Sequence, residues 1–125
     1  MSGRTLHNCR ILVVEDEYYF AQELRAELNE VGAIVLGPTA TLEDALEVIQ
    51  LEDQIDGAIL DLNLGGEAAY PIADLLVDRR VPIVFSTGYD QSEIPAHFAK
   101  VKRCEKPIDL SNVIQAMGQA ISRIS

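Results

Sequence analysis

Short apolar runs alternate with longer stretches of helical period along this chain, and the alternation occurs five times. The runs fall at 10–14, 33–36, 58–62, 81–86 and 101–104. Most are continuous in Val, Ile or Leu, the pattern of strands covered on both faces and not of half-exposed antiparallel ones. Between the first three runs, apolar residues recur three or four positions apart: Ala21, Leu24, Leu28 and Val31, then Leu42, Ala45, Leu46 and Ile49. Ala69, Ile72, Ala73 and Leu76 continue the pattern after the third run, and Leu110, Val113, Ile114, Met117 and Ile121 close the chain. Such spacing gives each helix one apolar stripe and a polar opposite face. Strands alternating with amphipathic helices imply a parallel sheet with helices on both sides.

Local signals set the boundaries independently. Thr41 with Asp44 three positions on has the form of a capping box, Asp109 can cap the last helix, and Gly32 stands where a glycine would end the first. The fourth helical stretch, 92–99, is short and contains Pro95, which a helix accepts only in its first turn; with Ser92 as N-cap, a short or irregular helix is predicted.

At 125 residues the chain has the size of one domain, read as 1–125 with its core at 10–123. Its 48% apolar and 24% charged residues suit a globular fold and argue against disorder. The longest apolar runs, such as Ile11-Leu12-Val13-Val14, fall far short of the roughly 20 residues of a membrane helix. Residues 1–10 are polar and hold no apolar signal core, so a cytoplasmic location is expected. A net charge of −10 disfavours nucleic acid as a partner. Lys100, Lys102, Arg103 and Lys106 do cluster, and are read as a solvated patch with at most a protein-docking role. Cys9 and Cys104 form no C-x-x-C pair and are expected to be buried free thiols, while His7 and His97, with no partner at metal-ligand spacing, are expected at the surface.

In an open parallel sheet, ligands bind beyond the carboxyl ends of the strands. The first strand ends at Glu15-Asp16, the third carries Asp61, the fourth ends at Thr87-Gly88, and the fifth runs into Lys106-Pro107. Acidic residues after a strand often do no more than favour a helix N-terminus, a part open to Glu15, Asp16 and Glu17 alike. Asp61 is different, because it sits among Ile59, Leu60 and Leu62, where a carboxylate costs several kcal/mol unless paired or metal-bound. Gathered together, Glu15, Asp16 and Asp61 would repel one another unless a cation joined them. With only hard oxygen donors available, that cation would be magnesium. A lysine and a hydroxyl beside such an ion match the charge of a transferring phosphoryl group.

The segments Ile11-Leu12-Val13-Val14-Glu15-Asp16-Glu17, Asp56 through Gly66, Phe85-Ser86-Thr87-Gly88 and Glu105-Lys106-Pro107 resemble, in order and spacing, the receiver domains of response regulators. The resemblance implies a flavodoxin-like (βα)5 three-layer α/β fold with strand order 2-1-3-4-5, the order given for a receiver in general accounts of this fold. It implies a phosphoacceptor at Asp61, magnesium held by Asp16, Asp61 and the Asn63 backbone carbonyl, and Glu15 acting mainly through a metal-bound water. Thr87 would be the switch hydroxyl and Lys106 the lysine that contacts the phosphoryl group. The donor would be a phosphohistidine on a sensor kinase or phosphotransfer protein. The chain would then be a stand-alone signalling module and not an enzyme with a substrate of its own. Its output would come through another protein, or it would act as a phosphate sink.

One departure stands out. Most receivers carry an aromatic residue three positions before the lysine, where this chain has Arg103. With Phe85-Ser86-Thr87-Gly88-Tyr89, the chain resembles a subgroup that has a Phe-Ala-Thr-Gly-type motif and often pairs with kinases of the HWE type. Tyr89, or a reordering of 88–99, would then carry the signal. Among rivals, a haloacid-dehalogenase-type phosphatase needs a second aspartate where Asn63 stands, and a flavin module needs a phosphate-binding loop where Glu15-Asp16-Glu17 stand. A domain that keeps the fold without being phosphorylated ranks below an active receiver, because every matched site residue is present.

Overall fold

The computed structural model describes residues 6–88, 94–106 and 108–124. Five parallel strands form the central sheet: β1 (Arg10–Val14), β2 (Ile34–Thr39), β3 (Gly57–Asp61), β6 (Ile83–Thr87) and β7 (Lys102–Glu105), in the order β2-β1-β3-β6-β7. This is the flavodoxin-like order with β6 and β7 as fourth and fifth strands. Two further strands, β4 (Asn63–Leu64) and β5 (Glu67–Ala68), pair antiparallel in a small hairpin just past β3.

The strand runs are apolar throughout because each serves two cores. Leu12, Val14, Ala58, Leu60, Ile83 and Phe85 enter one, beneath helices α2 (Leu42–Leu51) and α3 (Tyr70–Asp78). The alternate residues Ile11, Val13, Ile59 and Val84 enter the other, beneath α1 (Tyr18–Glu30) and α4 (Leu110–Ile124). A one-residue slip in any strand would exchange its two faces, so the register is strongly specified.

The helix ends follow the predicted chemistry. Thr41 accepts a hydrogen bond from the Asp44 amide (3.1 Å), Asp109 from the Ser111 amide (2.9 Å), and Gly32 takes φ +86° just after α1. β2 runs three residues beyond its predicted end, through Gly37-Pro38, where a register shift between Leu12 and Val14 interrupts the pairing with β1 and so accommodates the proline. β6 begins two residues later than predicted, since Pro82 offers only its carbonyl, to the Ala58 amide (3.0 Å).

The fourth helix departs most from a regular (βα)5 pattern. Among the described residues it is one turn of 3-10 helix, Ala96–Phe98, with Pro95 at its N-cap. Proline has no N–H to extend the turn backward, and Phe98 anchors it by packing edge-on to Phe85 (5.5 Å between centroids) and stacking on Tyr70 (5.6 Å). Ser92 and Tyr89, the predicted cap and one predicted signalling residue, lie outside the described residues. Cys9 and Cys104 are half-buried and not fully enclosed, and burial raises both thiol pKa values. His97 is exposed and pairs with Asp74 at 3.1 Å. No described helix is long and apolar enough to cross a membrane.

Candidate functional site

Beyond the carboxyl ends of β1, β3, β6 and β7 the chain gathers its acidic and basic site residues. Glu15 follows β1 directly and is fixed there by its amide, which donates to the Thr39 carbonyl at 2.9 Å. The first turn of α1 is capped by Glu17, whose carboxylate accepts from the amides of Tyr19 (3.2 Å) and Phe20 (2.8 Å). The helix-terminus role open to three acidic residues thus falls to Glu17, and Glu15 and Asp16 turn elsewhere. One carboxylate oxygen each from Glu15, Asp16 and Asp61 lies within 4.8 Å of the other two.

Asp61 and Glu15 are each only 3% exposed. The ammonium of Lys106 sits 3.0 Å from Asp61 Oδ2 and 3.4 Å from Glu15 Oε2. Asp61 Oδ1 accepts from the Asn63 amide at 3.0 Å, and Glu15 Oε2 from the Glu17 amide at 3.0 Å. Glu15 Oε1 is buried and has no hydrogen-bond partner among the described residues.

One lysine paired with two buried carboxylates, with the exposed Asp16 carboxylate close by, leaves surplus negative charge at this end of the sheet. Burial, joined by the nearby Asp61 carboxylate, pushes the Glu15 pKa up to about 7 against the opposing pull of the Glu17 amide and Lys106. Burial alone would lower the Lys106 pKa, but Asp61 and Glu15 reverse it and leave the ammonium harder to deprotonate than usual. A cation set against Glu15 Oε1 and the two aspartates would relieve this repulsion, and the donors, all oxygens, suit a hard divalent ion.

Asn63 is exposed at the start of the β4–β5 hairpin, with its backbone against Asp61 and its side-chain oxygen accepting from the Gly66 amide at 2.9 Å. Thr87 is 2% exposed at the end of β6, and its carbonyl accepts from the Lys106 amide at 2.7 Å, tying the lysine's backbone to that strand. Glu15, Asp16, Asp61, Asn63, Thr87 and Lys106 thus share one end of the sheet.

Two further neighbours of these residues carry only slight signals in the sequence. The Gly65 amide donates to Asp16 Oδ2 at 2.8 Å, so the hairpin turn holds that carboxylate in place. Gly65 and Gly66 take φ +58° and +93°, the two positive values of a type I′ turn, and the Gly-Gly pair could have announced it. Ser86, opposite Asp61 in the sheet register, carries a buried hydroxyl without a described partner; a serine within an apolar run was the signal for it.

No protein-family model matches the chain. Over 120 residues it is 32% identical to the phyllosphere-induced regulator PhyR of Methylorubrum extorquens, an alignment covering 89% of this chain and 43% of that one. The chain spans a little under half the length of the curated relatives it matches. The solution structure of SdrG from Sphingomonas melonis superposes with a TM-score of 0.78 at 34% identity, covering 91% of this chain and 96% of that one. The response regulator REC domain of PhyR from Erythrobacter litoralis superposes with a TM-score of 0.80 at 21% identity, covering 93% and 92%, a likeness of fold. With the sheet order and near-complete mutual coverage of a 34% identical relative, the chain belongs to the receiver family of response regulators.

Proposed function

We propose that Asp61 accepts a phosphoryl group from a phosphohistidine of a sensor kinase or phosphotransfer protein, and that the aspartyl phosphate is the signalling state. The observation that carries this reading is the environment of Asp61: a carboxylate at the end of an apolar strand, 3% exposed, with an ammonium at 3.0 Å and two more carboxylates close by. A purely structural carboxylate so buried would be neutralised by one partner; this one belongs to a group with more negative charge than its lysine balances.

Magnesium would be held by Asp16, Asp61 and the Asn63 backbone carbonyl, with Glu15 reached through water, and when bound it supplies charge neutralisation at the phosphoryl oxygens. Asp61 provides the attacking oxygen, and its orientation is fixed by the Asn63 amide on one side and Lys106 on the other. The ammonium, kept protonated by its two carboxylates, offsets the phosphoryl charge. The Thr87 hydroxyl donates to a phosphoryl oxygen, and its movement reports occupancy to β6. Hydrolysis of the acyl phosphate resets Asp61.

Arg103 is exposed in the position where most receivers carry an aromatic, and this supports placing the chain in the subgroup with a Phe-Ala-Thr-Gly-type motif, with a kinase of the HWE type as donor. The aromatic contact is instead made by Phe98 on Phe85, two residues before Thr87, which supports reordering of 88–99 as the readout. Acting alone, the chain would signal by binding another protein or serve as a phosphate sink.

The test is incubation with magnesium and acetyl phosphate, followed by intact mass and amide NMR, beside Asp61→Asn. A labile single-phosphate adduct in the wild type only, lost with EDTA, is expected. An adduct that persists in Asp61→Asn, or none at all with no magnesium-dependent shifts at Asp16 and Asp61, would refute the assignment.

A further inference from the structure

Among the described residues, two buried side-chain polar atoms have no hydrogen-bond partner, Glu15 Oε1 and Ser86 Oγ. Both lie at the end of the sheet that carries Asp61. The carboxylate oxygen is accounted for by the cation that the acidic residues would hold. The neutral hydroxyl is not. Ser86 is 1% exposed, one residue before Thr87, in a strand that is otherwise apolar up to that point. Alanine would fill the same place with no polar group to satisfy, and a buried hydroxyl that makes no bond destabilises the fold that contains it.

The sheet register sets Ser86 between Asp61 of β3 and Cys104 of β7. Side chains two residues apart in a strand share a face. Ile59, Val84 and Cys104 all pack in the core beneath α1 and α4, so Asp61 and Ser86 project on that face too. Lys106 follows Cys104 by two residues, and its amide keeps it paired to β6 by donating to the Thr87 carbonyl at 2.7 Å. Its backbone is therefore on the β7 side of β6, whereas its ammonium lies 3.0 Å from Asp61 Oδ2, on the β3 side. With neighbouring strands about 4.8 Å apart, the lysine side chain crosses the width of β6 on the face where Ser86 stands. An ammonium has three N–H donors. Two are directed at Asp61 and Glu15, at 3.0 and 3.4 Å, and the third has no acceptor among the described residues.

We propose that Ser86 is a positioning residue for Lys106, its hydroxyl accepting the third N–H of the ammonium once Asp61 carries a phosphoryl group. The proposal rests on the phosphoacceptor reading of Asp61. In transfer from acetyl phosphate, a bond forms between an Asp61 oxygen and phosphorus, the bond from phosphorus to the acetyl oxygen breaks, and acetate leaves with the electron pair. The carboxylate charge of Asp61 is lost and negative charge appears on the phosphoryl oxygens, so the ion pair that holds Lys106 at rest dissolves. A fixed acceptor beneath the lysine's span then limits where the ammonium can go, and a hydrogen bond from a charged donor is among the strong ones. At rest Asp61 and Glu15 hold the ammonium, and the hydroxyl is left unbonded.

The test compares the wild type with Ser86→Ala and Ser86→Thr, using magnesium and acetyl phosphate. In EDTA, Ser86→Ala is expected to unfold at the same or a higher urea concentration than the wild type, because it loses an unbonded polar group. Its adduct should nevertheless form on the order of tenfold more slowly at saturating magnesium, with the magnesium titration of the Asp16 and Asp61 amides unchanged. The ammonium resonance of Lys106, which a merely structural serine would not move, should exchange more slowly with water on phosphorylation of the wild type but not of Ser86→Ala. Ser86→Thr keeps the hydroxyl and should restore both the rate and the resonance. A wild type that forms no adduct would overturn the phosphoacceptor reading and this proposal with it. An adduct forming at equal rates in the wild type and Ser86→Ala, a Lys106 resonance indifferent to the substitution, or a loss of resting stability in Ser86→Ala, which would mean that the hydroxyl is bonded at rest, would overturn this proposal alone.

Discussion

Replacing Glu15 by Gln should make the metal-free protein more stable at neutral and alkaline pH. The carboxyl pKa is pushed from 4.5 up to about 7 by burial and by Asp61. A carboxyl whose folded pKa is raised binds more protons in the native state than in the unfolded one, so stability is complete below about pH 4.5 and declines as pH rises through 7. At roughly 1.4 kcal/mol per pKa unit, full ionisation in the folded state costs up to about 3 kcal/mol. Glutamine keeps the shape and a carbonyl acceptor for the Glu17 amide but carries no charge, and Lys106 retains Asp61 as its partner. The assay is urea unfolding in EDTA at intervals from pH 5 to pH 8 for both proteins. The wild type should lose stability relative to the variant across that window, and the difference should close towards pH 5. Magnesium should restore much of the loss in the wild type and less in the variant. Parallel stability curves with no pH-dependent gap would refute the argument that Glu15 is held as a strained, under-neutralised carboxylate.

Three further substitutions probe how the site is supported. Phe98→Ala removes a side chain 1% exposed that bridges Tyr70 and Phe85, and should cost about 3–5 kcal/mol in chemical denaturation. Gly66→Val forces a β-branched residue to φ +93° in the hairpin turn; it should cost about 1–3 kcal/mol and weaken magnesium binding in NMR titration, because the Gly65 amide that holds Asp16 shifts with the turn. Arg79→Ala removes the guanidinium that donates to the carbonyls of Ile49, Glu52 and Asp53 at the end of α2, and should lower stability by about 1–3 kcal/mol with faster amide exchange in that last turn and an unchanged magnesium affinity.

The sheet could be read from the sequence because its signal is redundant. Ile11 and Leu12 belong to different cores, yet both must be apolar, so the run is continuous and names a doubly covered strand. Thr41, Asp109 and Gly32 act within a few residues of themselves, and their chemistry is equally local. A short or irregular fourth helix was also legible from Pro95, whereas its anchoring and the β4–β5 hairpin are decided by tertiary placement. The 3-10 turn at Ala96–Phe98 depends on Phe98 finding Phe85 and Tyr70, residues far apart in sequence, and Pro95 indicates only that a full helix will not form. Hairpin strands of two residues carry too few side chains to show a period, and only Gly65-Gly66 marked the turn.

The site shows the same division between local chemistry and assembly. An aspartate inside Ile59-Leu60-Asp61-Leu62 is anomalous in one dimension, because burial of that run follows from its neighbours. The acidic triplet Glu15-Asp16-Glu17 is ambiguous in one dimension and resolves only in three: Glu17 caps α1, Asp16 is held by the Gly65 amide 49 residues away, and Glu15 turns inward to meet Lys106 from 91 residues away. Asp16 is assigned by a backbone amide that its own stretch of sequence does not contain, and Glu15 by the distant Lys106 ammonium together with the Glu17 amide beside it. Displacing the Gly65 amide therefore leaves the charges in the chain but not their convergence, and this is why the hairpin variant should weaken the cation site without changing a single charged residue.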